Sequence, residues 1–203
     1  LKMDVDLESV EIVLAQKLAC GEPPVRAHAF RELQKWLEKQ SRVKPFGDED
    51  LLRLCKGLHY VMWMQDKMVM QEELGDRIAA LFDVFSREEE KINYVKCFLL
   101  SLNKEWTFID KWRMDKFLGS VRRLIRVAFA YLAEGEWTEE RVEAFFSGAL
   151  KTTVMSKDSS FRDALKFHFA ALFLDELDKA GSVSKDGVTR LLARFAEMLG
   201  EKI

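Results

Sequence analysis

The chain has 203 residues, 48% hydrophobic and 33% charged, with a formal net charge of −2 at pH 7. That much apolar surface suits one or two packed domains rather than a disordered chain, and the near balance of charge leaves any nucleic-acid contact to a local patch. The longest uncharged run, Gly57 to Gln65, is far short of the ~18 apolar residues of a membrane span.

The acidic start around Asp4, Asp6 and Glu8 is unlike a signal peptide. Position 1 is Leu, so the expectation is a piece of a longer protein. From that start, apolar residues recur at helical spacing almost everywhere, and no run alternates as a strand would. The periodicity predicts about nine helices. The first spans roughly Leu7 to Cys20 and stops at Gly21. Pro23-Pro24 opens the second, whose Phe30, Leu33 and Leu37 share a face as far as Gln40. After a loop holding Pro45 and Gly47, Asp48 is placed to cap a third helix carrying Leu51, Leu54, Leu58 and Met62. Gln65-Asp66 ends it, and Asp66 is placed to cap the fourth, with Glu72 and Glu73 near its positive end. The fifth runs from about Glu88 to Asn103. The connection "NKEWTFIDKW" then leads into a long sixth helix ending near Glu134-Gly135. Thr138 is placed to cap the seventh, and the last two span about Ser160–Ala180 and Ser184–Leu199.

Helices of this length on short links imply antiparallel neighbours. The expected fold is therefore all-α: a single domain over residues 1–203, an irregular array of helical hairpins resembling an armadillo or HEAT α-solenoid. A compact bundle is the competing geometry.

The chemistry-bearing residues are sparse. Met62, Met64, Met68 and Met70 straddle a helix break with only His59 nearby, which reads as packing rather than a soft-metal site. "FHFAALFL" at Phe167 to Leu174 reads as a helix buried nearly all round. His28, His59 and His168 are far apart, and neither a phosphate loop nor a nucleophile elbow is present. Cys20, Cys55 and Cys97 sit among apolar residues, the pattern of reduced thiols in an intracellular protein. The expectation is a protein without catalytic residues, metal or cofactor. Trp106 and Trp112 read as staples at a helix entry. From Lys104 to Arg126 seven basic residues face three acidic ones. Of these, Lys111, Arg113, Lys116, Arg122, Arg123 and Arg126 are candidates for RNA phosphates or an acidic partner segment. The alternative is a solvated face paired with acids such as Glu105 and Asp115. In the phosphate reading, reversing Arg122, Arg123 and Arg126 to Glu weakens association with a partner particle and leaves the fold intact.

Two segments, "KGLHYVMWMQDKMVMQEELG" (Lys56 to Gly75) and "LNKEWTFIDKWRMDKF" (Leu102 to Phe117), closely resemble the signature regions of the nucleolar ribosomal RNA-processing protein one family, also called Nop-fifty-two. "LAQKLA" at Leu14 to Ala19 resembles that family's first helix. The resembling positions are Trp63, Met64, Gln65, Asp66, Lys67, Gln71, Glu72, Glu73, Glu105, Trp106, Ile109, Asp110, Arg113, Asp115, Lys116 and Phe117. The resemblance implies a non-catalytic scaffold for large-subunit assembly, acting in the nucleolus on precursor ribosomal RNA processing. Implied partners are other assembly factors, including Brix-domain and WD-repeat proteins, and pre-ribosomal RNA. Membranes and small-molecule substrates are not among them. Trp63, Gln65, Asp66, Lys67, Glu72 and Glu73 are the candidate partner-binding residues. Family members also carry long lysine-rich C-terminal tails; the sequence stops at Ile203, so the expectation is a fragment without that tail. A generic helical-repeat adaptor is the alternative, and a helical hydrolase ranks last.

Overall fold

A computed structural model describes residues 16–18, 20–181 and 185–200. Residues 16–18 are helical and Cys20 is not, and the rest of the first predicted helix lies outside the described residues. The helices with defined bounds are α1 (Pro23–Val43), α2 (Asp48–Met64), α3 (Met68–Ala80), α4 (Glu88–Glu105), α5 (Met114–Glu134), α6 (Glu139–Phe145), α7 (Asp163–Ala180) and α8 (Lys185–Gly200). A 3-10 turn, Leu81–Val84, continues α3; another, Trp106–Phe108, follows α4; and a π turn, Phe146–Leu150, extends α6. The fold is all-α, and no strand occurs among the described residues.

Local chemistry explains the boundaries better than it explains the caps. Pro23 begins α1, where its missing N–H costs nothing. α2 and α4 each place three acids in the first turn (Asp48, Glu49, Asp50 and Glu88, Glu89, Glu90), against the positive end of the helix dipole. The predicted side-chain caps do not form. Gly47 occupies the cap position of α2 and Lys67 that of α3, while Thr138 precedes α6 without a side-chain cap bond. Asp48 has been drawn into the first turn, and its carboxylate instead meets Lys96 on α4 at 2.7 Å.

The order of interhelix contacts defines the architecture. Arg77 on α3 lies over the Phe30 ring of α1, and Ser41 at the far end of α1 bonds Ser86 beyond the end of α3. Between α3 and α5, Asp76 meets Arg123, and beyond the end of α3 the Phe82 ring meets Tyr131. Between α5 and α7, Leu118 meets His168 and Arg122 meets Asp175. In each pair both numbers rise together, so α1, α3, α5 and α7 run parallel in one layer. The even helices behave likewise. Asp48 pairs with Lys96 near the start of α2, while Tyr60 and Trp63 share a cleft with Glu105 and Phe108 near its end. Glu88 faces Arg141, and Trp137 and Glu143 receive Arg190 and Arg194 of α8. Two layers of parallel helices, joined by antiparallel steps, make a hairpin array of the HEAT type rather than a closed bundle.

The core runs between the layers, with Phe82, Phe98, Phe117, Phe129, Phe145, Phe169 and Phe173 almost wholly buried. Edge-to-face ring pairs recur through it, as at Phe129–Phe173, 5.7 Å apart. The α5–α6 turn is the strained point: Glu136 and Trp137 both adopt positive φ (54° and 52°). Trp137 is buried against Phe129, which offsets that cost. Glu90, also buried, accepts hydrogen bonds from Ser41 Oγ (2.7 Å) and the Phe46 N–H (2.9 Å), tying the α1–α2 loop to α4.

Three burial expectations are corrected. Met62 is core, but Met68 at the start of α3 is exposed. The "FHFAALFL" helix is not buried all round, because α7 lies at the edge of its layer and turns Phe167 and Leu174 outward. Trp106 does staple the α4–α5 connection, being 8% exposed, whereas Trp112 is 84% exposed.

Candidate functional site

The two signature-like segments, about fifty residues apart in sequence, fold onto each other at one end of the array. α2 ends at Met64 in a β-like residue, Gln65, which leaves the last carbonyls of the helix without helical partners. Lys116 of α5 supplies them: its Nζ donates to the carbonyls of Trp63 (2.9 Å) and Gln65 (2.8 Å) and lies 3.9 Å from Asp66. Its side chain is only 4% exposed, and burial lowers its pKa. The Gln71 amide donates to the same Gln65 carbonyl at 2.8 Å. Gln65 itself is buried, so it organises the turn rather than presenting it.

Arg113, at the cap position of α5, lies over the Trp63 ring, 4.6 Å from its centre. Asp110 holds that guanidinium in an ion pair and also accepts the backbone N–H groups of Trp112 (3.0 Å) and Arg113 (3.1 Å). The hydrogen bond from Arg113 is the largest reason the Asp110 carboxyl lies below its usual value. Trp63, 40% exposed, is thus held from behind by a cation that is itself held.

In front of Trp63 is a cleft of about 260 Å³ lined by Lys56, His59, Tyr60, Trp63, Glu105, Phe108, Ile109 and Phe117. His59 forms part of the floor. Its Nε2–H donates to the Phe98 carbonyl at 3.1 Å, and burial, outweighing that bond, lowers its pKa to about 4. Tyr60 and Phe108 stand at the mouth, 54% and 77% exposed. Sequence reasoning named Trp63 but not Tyr60 or Phe108. Both lie inside the two signature-like segments, where nothing singled them out.

The remaining candidates are distributed differently. Asp66, Lys67, Glu72 and Glu73 are exposed on the α2–α3 turn and the first turns of α3, with Glu73 paired to Arg77. The basic face of α5 is largely consumed within the array. Arg122 donates to Glu176 (2.5 Å) and Asp175 (2.8 Å), and Arg126 donates to Glu176 through Nε (2.7 Å) and Nη2 (3.0 Å). Arg123 reaches Asp76 at 2.8 Å across Gly75, where an added Cβ would stand 3.0 Å from Arg123 Cδ. The acids are not Glu105 and Asp115 but residues of α3 and α7. Lys111, exposed, lies 4.8 Å over the ring of Trp112. Burial raises the Glu176 carboxyl, yet the hydrogen bonds from Arg126 and Arg122 outweigh it and bring the pKa down to about 2.

Among the described residues no three His, Cys, Asp or Glu side chains gather as a metal-binding group. Burial raises the Cys55 thiol, and raises that of Cys97 to about 12, so neither is a thiolate at neutral pH. What the site offers is shape and aromatic surface.

Comparison with known proteins assigns the whole fold to one group. A family model described as "Nucleolar protein, Nop52" matches residues 9–203. The chain is 57% identical over 98% of its length to the Ribosomal RNA processing protein 1 homolog of Caenorhabditis elegans, covering 50% of that protein. It is 37% identical over 85% of its length to homolog A of Homo sapiens and 33% identical over 86% to human homolog B, covering 38% and 23% of them. The chain thus spans half or less of the length of these relatives. On the match to residues 9–203 and these identities, the chain belongs to the Nop52 family of nucleolar proteins.

Proposed function

We propose that this protein is a non-catalytic scaffold in ribosomal RNA processing, holding other assembly factors of the large ribosomal subunit, and precursor RNA, in the nucleolus. The observation that carries this reading is the convergence of the two signature-like segments on one partly exposed aromatic cleft. Lys116 and Arg113 are spent there on fixing its shape, not on a reaction. Relatives named for ribosomal RNA processing support the pathway. A two-layer helical array supports the role, since such arrays offer long surfaces to partners. In this reading Trp63, Asp66, Lys67, Glu72 and Glu73 meet protein partners such as Brix-domain or WD-repeat factors, with Gln65 shaping the turn. Lys111 is the exposed cation left for phosphate, because Arg113, Lys116, Arg122, Arg123 and Arg126 are engaged inside the molecule.

Depletion of the protein, with rescue by the tagged full-length chain, tests the reading. The expected result is accumulation of precursor ribosomal RNA on depletion, and co-sedimentation of the rescuing chain with large-subunit precursor particles. Normal precursor RNA levels together with absence from those particles would overturn it. Purification returning only partners unrelated to ribosomes would favour a generic adaptor instead.

A further inference from the structure

The scaffold reading invokes precursor RNA, yet of the α5 cations expected to meet it only Lys111 stays open, and one cation holds a polyanion weakly. Another surface has the charge. From Arg31 to Lys44, along the later turns of α1 and the residue after it, five cations (Arg31, Lys35, Lys39, Arg42, Lys44) stand against two acids (Glu32, Glu38), and all seven are exposed. That is a surplus of three positive charges in a chain whose net charge is −2. Resting on the scaffold reading, we infer that the outward face of α1 is a contact surface for single-stranded RNA, whose phosphates meet Arg31, Lys35, Lys39 and Arg42 and one of whose bases stacks on Trp36.

Spacing makes these cations a stripe. Arg31, Lys35, Lys39 and Arg42 are separated by four, four and three residues, which puts them on one side of the helix over about 16 Å. Lys35, Lys39 and Arg42 line one open recess with Glu38 and Val43, three cations to one acid. A row of this length suits a polymer of repeated charge rather than a lone anion. The acids do not cancel it. Glu32 pairs with Lys35 at 3.1 Å and Glu38 with Arg42, but these four side chains are 51–71% exposed, where ion pairs are weak and exchange readily. Among the described residues Lys39 and Lys44 have no ion-pair partner. Because α1 and α3 run parallel, the stripe lies level with the end of α3 and the turn beyond it. The acids there are taken, Asp76 by Arg123 and Asp83 by Lys91 at 3.9 Å. Glu49 and Asp50 come only after the Pro45–Gly47 loop, in the first turn of α2, and Glu89 in that of α4. Trp36 decides between RNA and an acidic protein segment, the other polyanion such a stripe would hold. It is 45% exposed, lies beside Lys39 at a spacing of three residues, and is braced by the Phe46 ring 5.8 Å away. A held, half-open indole among cations is a platform for an unpaired base, whereas a run of carboxylates has no face to lay on it.

Fluorescence anisotropy with the full chain and two labelled probes, oligouridine and a polyglutamate peptide of equal charge, tests the assignment across a salt series. Oligouridine is expected to bind, and the peptide much more weakly. Replacing Lys35, Lys39 and Arg42 together by Gln should weaken oligouridine by about tenfold or more. It should also make the slope of log affinity against log salt shallower by about two, since each phosphate contact on a single strand contributes ~0.7. Trp36→Ala should weaken oligouridine by roughly fivefold to a hundredfold and leave that slope unchanged, because stacking releases no counterions. All substituted side chains are exposed, and circular dichroism should report the same helical content in every variant. No binding of oligouridine, binding that the triple substitution does not weaken, equal binding of polyglutamate, or indifference to Trp36→Ala would each overturn the inference. Particle co-sedimentation of the unsubstituted chain reports separately on the scaffold reading: its loss defeats that reading whatever oligouridine does, and its presence leaves the anisotropy to decide the α1 face.

Discussion

Lys116 is a cation spent on a helix end. Its Nζ satisfies two carbonyls that α2 cannot satisfy itself, so Lys116→Met keeps the bulk and removes both bonds. The expected loss is about 1–3 kcal/mol in urea unfolding, with altered tryptophan fluorescence as the Trp63 turn loosens. Two buried titrating groups, alongside His168, Asp110 and Asp158, shape the response to acid. His59 has a folded pKa of about 4 against an ordinary 6.5, so the unfolded chain takes up its proton first, and stability falls as pH drops across that interval. Glu176 has a folded pKa of about 2 against an ordinary 4.5. Its contribution is complete above pH 4.5 and is lost as pH falls toward 2. Urea midpoints measured against pH should therefore decline in two successive steps. Glu176→Gln should shrink the lower step, to which Asp110 and Asp158 also contribute, and His59→Gln should shrink the upper one, to which His168 contributes. The burial of His59 was not legible in the sequence, where it is a lone imidazole beside aromatics. A single residue carries no record of the carbonyl at Phe98 that meets it across the array.

At the scale of elements, α6 shows how tightly the even layer is packed. Gly148, in the π turn, faces Ile92 of α4 so closely that an added Cβ would stand 2.6 Å from Ile92 Cγ2. A short β-branched side chain has little room to withdraw. Gly148→Ala should cost about 1–3 kcal/mol by overpacking, and Ile92→Ala in the same chain should recover part of it. A thermal double-mutant cycle measures both. Helix positions were largely legible, because 3.6-residue periodicity and breakers such as Gly21, Pro23 and Gly135 act locally. The caps at Asp48, Asp66 and Thr138 were not, since those side chains compete with solvent and with residues on other helices. Nor was the outward turn of Phe167 and Leu174. A stretch whose one polar residue, His168, itself turns inward to the Leu118 carbonyl has no polar face to show which side lacks a neighbour.

For the whole molecule, the arginines of α5 are stitches between parallel helices. Reversing Arg122, Arg123 and Arg126 to Glu would place carboxylates against Asp76, Asp175 and the buried Glu176. The expected outcome is a loss of several kcal/mol and a much lower melting temperature by circular dichroism, so the helical fold would not survive untouched. The sequence identified a basic face correctly but not its counter-charges, which lie about fifty residues away on either side. Of the candidate site, it revealed the two segments and left their meeting to the fold.

That meeting sets how force passes through the protein. Lys116 grips the end of α2 from α5, and α5 in turn grips α7 through Arg122 and Arg126. A tug on whatever seats against Trp63 is therefore borne by the layer behind it instead of by the exposed turn. The aromatic mouth is a handle bolted through to the far wall.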